Sequence, residues 1–302
     1  MRTAAQIRAV AAVALLAGAC LLAGALPAGA APVFPSGPTA TSSPAGVIAA
    51  GAELVDVTAG RELWTRNFEA RRPIASITKV MTAYLVIEAG QLNRKIRVTE
   101  AAEEYGQQYD PSEAGLIPGD LLTTRQLLEA LLLPSASDAA YLLATTYGPG
   151  WPAFVRKMNA TARKLGMTRT HYANFDGLPW PTEHSTYSTP HDLILLAEAA
   201  MKLRAFRDIV AQRSHSIAAT GQHHHYHWTN TNLLLSSYPG AIGIKTGFTQ
   251  GAGYCLLFAA RRNGTELIGV VLDSTRTDSQ ERFTAATNML TWGFADVNRA
   301  IG

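Results

Sequence analysis

Strand-forming patterns lie near the two ends of this chain and helix-forming patterns fill its middle, and that arrangement limits the fold more than any other feature. Residues 50–57 read as a strand, Thr58-Ala59-Gly60 as a turn and residues 61–65 as the returning strand of a hairpin. Strands resume only at residues 242–246, 253–261 and 266–272. The last two flank Arg262-Asn263-Gly264, whose Asn-Gly pair is a hairpin signal. Between these ends, apolar residues recur at helical spacing over residues 76–88, 121–133, a stretch starting near Asp138, residues 151–165 and a stretch after Thr189-Pro190. Thr123 followed by Gln126 resembles a capping box, Pro134 stops the second helix, and a final helix covers about residues 279–292. Segments from opposite ends must therefore close one sheet. The expected fold is α/β of the α+β type: about five antiparallel strands flanked by helices, with a mostly helical subdomain over roughly residues 95–205.

The start of the chain fixes the compartment. Arg2 and Arg8 precede an unbroken apolar run over residues 9–25, and Pro27 with Ala28-Gly29-Ala30 fits a small-residue cleavage site. Residues 1–30 thus read as a secretory signal. The run is short and rich in Ala and Gly, so export is expected rather than membrane anchoring. Residues 31–46, rich in Pro, Ser and Thr, form a linker, and residues 47–302 are expected to be one domain. Two of the net three positive charges are Arg2 and Arg8, so the exported chain is nearly neutral and nucleic acid is not an expected partner. Cys20 and Cys255 are the only cysteines; once the leader is cut, no internal disulfide is possible. Cys255 lies in the apolar segment Tyr254-Cys255-Leu256-Leu257-Phe258 and reads as a packing residue rather than a nucleophile.

Three short motifs carry candidate chemistry. In Ser76-Ile77-Thr78-Lys79 the two polar residues are three apart on a helix, so Lys79 Nζ can reach Ser76 Oγ. They border the apolar stripe of Ile77, Met81 and Tyr84, and a partly desolvated lysine is easier to hold neutral as a base. Free N–H groups at the helix start favour developing negative charge at Ser76. Ser135-Ala136-Ser137 falls in the turn between two helices. There Ser137 reads partly as a cap, and Ser135 could relay a proton between Lys79 and a leaving group. Lys245-Thr246-Gly247 lies on a strand leading into a Gly-rich turn. A lysine, a hydroxyl and a glycine on an edge strand can hold a substrate carboxylate while the backbone pairs with substrate.

The order of these motifs resembles that of the serine penicillin-binding proteins and β-lactamases, and within them the low-molecular-mass D-alanyl-D-alanine carboxypeptidases. The likeness runs from about Gly51 to Phe294 and includes residues 73–83, 132–140 and 240–247, together with Asp176-Gly177-Leu178-Pro179 and Tyr187-Ser188-Thr189. The resemblance implies acyl transfer on peptidoglycan stem peptides ending in D-Ala-D-Ala. Ser76 would attack, Lys79 would serve as base and Ser135 would pass the proton on. Backbone N–H groups of Ser76 and Phe248 would form the oxyanion hole. Ser137, Lys245, Thr246 and Gly247 would bind substrate. β-Lactams would acylate Ser76, and no cofactor or metal would be needed. The chain departs from the family in carrying Ser137 where Asn is usual, since a hydroxyl cannot offer both an amide N–H and a C=O. It also lacks the extra C-terminal domain and amphipathic tail of many members, which makes a single-domain, released, monomeric form the expectation.

Competing readings are a D,D-endopeptidase acting on crosslinks and a non-hydrolytic penicillin-binding sensor or cell-wall adhesion module. No acidic deacylation motif of the class A β-lactamases is present. The run His223-His224-His225-Tyr226-His227 places alternate imidazoles on one face, but no acidic or Cys partner is near in sequence, so an exposed polar hairpin is expected rather than a metal site.

Overall fold

The computed structural model describes residues 43–109 and 112–301. The signal and nearly all of the linker expected over residues 1–46 lie outside the described residues. Strands β1 (Gly51–Asp56) and β2 (Arg61–Arg66) form the first hairpin; β3 (Ala241–Thr249), β4 (Gly253–Arg262) and β5 (Thr265–Leu272) form the late meander. Their spatial order is β2-β1-β5-β4-β3, and every neighbouring pair is antiparallel. The two ends of the sequence do close one sheet, with Gly51 opposite Leu272 and Asp56 opposite Leu267. That leaves β2 and β3 as edges.

Both faces of the sheet are covered, which is why its central strands read as continuous apolar runs. Along β4, Cys255, Leu257 and Ala259 face one core while Leu256, Phe258 and Ala260 face the other. The first core is shared with helices α1 (Lys79–Glu88), α2 (Thr124–Leu132), α3 (Ser137–Tyr147), α4 (Trp151–Lys164) and α5 (Pro190–Lys202). The second is closed by α6 (Glu281–Ile301), whose Phe283, Met289 and Leu290 meet Leu54, Phe258 and Val271. Gly269 makes this possible: a Cβ there would stand 2.4 Å from the Phe258 ring. Cys255 is fully buried and burial pushes its thiol up to about 12, as befits a packing residue.

Local rules were overridden in three places. Residues 121–123 extend the expected second helix by pattern, yet Leu121–Thr123 is a strand paired with Lys95–Arg97. The capping box explains it. Thr123 at the N-cap must be extended (φ −69°, ψ 154°), its side chain accepting from Gln126 N at 3.2 Å while Gln126 Oε1 accepts from Thr123 N at 2.7 Å. Strand β3 is longer than its apolar residues suggest, because Gly243 and Gly247 interrupt the pattern while the backbone stays paired with β4. Ser137 caps nothing: Ala136 is the N-cap of α3 without a side-chain bond, and Ser137 is the first helical residue.

The His-rich segment does form a hairpin, Ser214–Ile217 against Tyr226–Thr229. An acidic partner is nevertheless present, supplied from a distant part of the sequence: His224 Nδ1 lies 3.0 Å from Asp120 Oδ1, and the Tyr226 hydroxyl donates to the same carboxylate. Among the described residues no three such side chains cluster as a metal site.

Candidate active site

Ser76 stands in a single 3-10 turn, Ala75–Thr78, that feeds directly into α1. The sequence pattern suggested a helix from Ser76 onward; the first turn is tighter because Ala75 takes a left-handed conformation (φ 46°). Lys79 and the residues after it are buried on nearly all sides, as expected of a helix that is apolar round its circumference. Lys79 itself is fully buried. Its Nζ lies 3.2 Å from Ser76 Oγ and 3.1 Å from Ser137 Oγ, so the amine sits between two hydroxyls from different motifs.

The α2–α3 turn supplies the second wall. Pro134 ends the helix, Ser135 turns the chain through a left-handed conformation (φ 73°), and Ser137 N donates to Ser112 O at 3.0 Å. Ser137, expected as a substrate-binding residue, is fully buried beside Lys79, whose Nζ lies 3.1 Å from its hydroxyl. Asp138 next to it accepts from the N–H groups of Ala114, Leu116 and Ala139. Burial pushes its carboxyl above the usual carboxylate range, opposed by those N–H groups and by the charge of Lys79. Asp138 thus ties the 112–117 segment to the foot of α3.

The edge strand β3 closes the third side. Gly247 lies against the Ser76 turn so tightly that a Cβ would stand 2.9 Å from Ile74 O and 3.3 Å from Ser76 N. Alternation along the strand puts Lys245 on the same face as Gly247; it is buried, and its Nζ donates to Thr246 O at 3.2 Å. Thr246 Oγ1 lies 2.6 Å from Thr231 Oγ1. From behind, Gly177 (φ 87°) presses on the turn: a Cβ there would meet Ala75 O at 1.9 Å. Asn174 fastens that loop, accepting from Gly177 N at 2.7 Å and donating to Leu178 O and Trp180 O.

The three motifs converge on a cleft of about 450 Å³ lined by Ser76, Ser135, Thr246, Gly247 and Phe248. Sequence reasoning missed Arg282 and Glu183, which also line it. Arg282 opens α6, donates to Gly247 O at 3.2 Å and lies over the Tyr254 ring at 5.0 Å. Neither residue belongs to a local pattern, so only the tertiary fold brings them in.

Comparison with known proteins agrees with this geometry. A family model described as D-alanyl-D-alanine carboxypeptidase matches residues 38–276. A D-alanyl-D-alanine carboxypeptidase of Streptomyces sp. strain K15 is 41% identical over 269 residues, covering 85% of this chain and 90% of that protein. The D-alanyl-D-alanine carboxypeptidase DacB2 of Mycobacterium tuberculosis is 35% identical over 270 residues, 89% of this chain and 86% of its own length. A D-alanyl-D-alanine endopeptidase of Pseudomonas aeruginosa is 32% identical over 250 residues, 81% and 77% of the two chains. The crystal structure of the Streptomyces K15 DD-transpeptidase superposes with a TM-score of 0.77 at 40% identity, over 82% of this chain and 98% of that one. With Ser76, Lys79 and the β3 edge assembled on that fold, the chain belongs to the serine D-alanyl-D-alanine carboxypeptidase family.

Proposed function

We propose that this enzyme removes the terminal D-Ala from peptidoglycan stem peptides through an acyl-enzyme on Ser76. The observation that carries the reading is the buried amine of Lys79 placed 3.2 Å from Ser76 Oγ and 3.1 Å from Ser137 Oγ at the base of a cleft edged by β3. Within hydrogen-bond reach of Ser76 Oγ, Lys79 in its neutral form accepts the Ser76 proton as Oγ attacks the D-Ala–D-Ala carbonyl. The backbone N–H groups of Ser76 and Phe248 hold the oxygen of the tetrahedral intermediate. Lys79 returns the proton, through Ser135, to the departing D-Ala nitrogen, and the C–N bond breaks. Water, deprotonated by the same amine, then hydrolyses the ester and restores Ser76.

Lys245, Thr246 and Arg282 supply the positive and hydroxyl groups suited to the terminal carboxylate, while β3 offers its open edge to the peptide backbone. Gly247 keeps that edge close to Ser76. Ser137 supports the lysine; substrate selection by a side-chain amide at this position is not part of the reading. Penicillins fit the same site and acylate Ser76. The apolar leader supports export, which puts the enzyme where its substrate is.

Incubation of the purified protein with diacetyl-L-Lys-D-Ala-D-Ala tests the proposal: free D-Ala is expected from the wild type and none from Ser76→Ala. An intact protein that binds penicillin but releases no D-Ala would instead be a sensor or adhesion module. A second reading, cleavage of crosslinked dimers, is supported by relatives with endopeptidase activity in their names. Purified muropeptides separate the two.

A further inference from the structure

Among the described residues lining the cleft, Glu183 carries the only carboxylate. It is half-buried, and the turn between β3 and β4 makes room for it: a Cβ on Gly251 would stand 2.4 Å from Glu183 Oε2 and 2.9 Å from its Cδ. Thr249 Oγ1 donates to Oε2 at 3.3 Å. A carboxylate has about four acceptor positions, so this single fastening leaves most of its capacity directed elsewhere. The cleft is therefore polarised, with Arg282 bonded to Gly247 O beside the Ser76 turn, and Glu183 the one negative group among the described residues of its lining.

A ligand matching that polarity carries a carboxylate at one end and an ammonium away from it. We infer that Glu183 is a specificity-determining residue that holds the side-chain ammonium of the residue preceding D-Ala-D-Ala in the acyl donor. The inference rests on the stem-peptide reading above and deepens it. The preferred donor is a stem peptide whose diamino acid is unmodified. A stem whose amine is already acylated by a crosslink loses the ion pair, so the enzyme trims strands that have not yet served as acceptors.

The test compares Nα-acetyl-L-Lys-D-Ala-D-Ala, with a free side-chain amine, and its diacetylated counterpart. Each is used as a competitor of fluorescent penicillin at Ser76 and, in parallel, as a substrate for D-Ala release. A charge-assisted contact in a partly dry cleft gives the free-amine peptide an advantage of about 10-fold in wild type. Glu183→Gln, which retains an acceptor for Thr249, brings the ratio to about one. Thr249→Val, which removes the fastening but keeps the carboxylate, preserves the preference. Equal competition by the two peptides in wild type overturns the inference, as does a preference that survives in Glu183→Gln. So does a ratio abolished by Thr249→Val, since Glu183 would then only anchor its loop. Competition with the expected ratio but no D-Ala release overturns the carboxypeptidase reading and leaves the ammonium contact standing. Peptides that do not compete at all overturn both. A glycylglycine acceptor completes the set: if Glu183→Gln changes only transfer to that amine and not the donor ratio, the carboxylate serves the acceptor and the assignment to the donor is wrong.

Discussion

Lys79, the proposed base, shows how much of a site residue's setting is local and how much is not. Its spacing from Ser76 is written in four consecutive letters, and the expected hydrogen-bond distance is there. Its second hydroxyl, from Ser137, comes from 58 residues away, and nothing in the Ser-Ala-Ser triplet announced that the third residue would face the lysine. Removing the amine by Lys79→Met should slow penicillin acylation by about 10²–10⁴-fold, the usual scale for a positioned proton acceptor, as read by stopped-flow fluorescence. Ser137→Ala should cost less, about 10-fold, because it removes one bond to the amine and leaves Ser76 in place. An unchanged rate in Ser137→Ala would show that the 3.1 Å contact has no part in activating the nucleophile. Gly247 makes a different point. The letter Gly signalled close approach, and the backbone it approaches is the Ser76 turn itself. Gly247→Ala should push β3 away from Ser76 and lower acylation by about 10-fold or more, with the melting temperature little altered. A large loss of stability with normal acylation would mean that the glycine serves packing alone.

At the scale of elements, caps and turns were legible and elements defined by distant partners were not. The Asn263-Gly264 turn and the Thr123–Gln126 box both formed as local chemistry predicts. The three residues ending in that box's Thr123 became a strand because the cap needs Thr123 extended and Lys95–Arg97 lay alongside to pair with them. Likewise β3 has nine residues although its glycines dilute the apolar signal, since pairing with β4 stabilises backbone that propensity alone does not. Helix α6 runs on to Ile301, past the apparent stop near Trp292, with Phe294 and Val297 buried in the second core. Thr123→Ala should destabilise the enzyme by about 1 kcal/mol in urea unfolding. It should leave acylation intact, because α2 meets the cleft only at its far end. A loss of several kcal/mol would indicate that the Lys95–Arg97 pairing fails with the cap.

Across the whole molecule, the sheet closed from both ends of the sequence is what gathers the three motifs, and that closure was legible from where the strand patterns fell. The polarity of the cleft was not, because Glu183 and Arg282 lie outside every motif. Titration is also a property of the whole fold. Burial holds the carboxyls of Glu53, Asp138, Asp192 and Glu198 above the usual range. A hydrogen bond to Glu53 raises the imidazole of His191 above its ordinary 6.5. In each case the folded state binds protons more tightly than the unfolded chain, so the stability contributed is present at low pH and lost as pH rises through the folded values. Asp120, which accepts bonds from Tyr226 and His224, is shifted the opposite way and opposes the trend only at more acid pH. The melting temperature should therefore fall between pH 5.5 and pH 8, and His191→Gln should flatten the upper part of that slope. A melting temperature that rises over the interval would contradict the assignment of these groups.

The central claim is that Ser76, activated by the buried Lys79, is the nucleophile. Time-resolved mass spectrometry of the protein mixed with benzylpenicillin, followed by peptide mapping, addresses it directly. A single adduct of one penicillin mass on the peptide containing Ser76, absent in Ser76→Ala and slow to form in Lys79→Met, is the predicted result. An adduct on any other residue, or one that persists in Ser76→Ala, would contradict it.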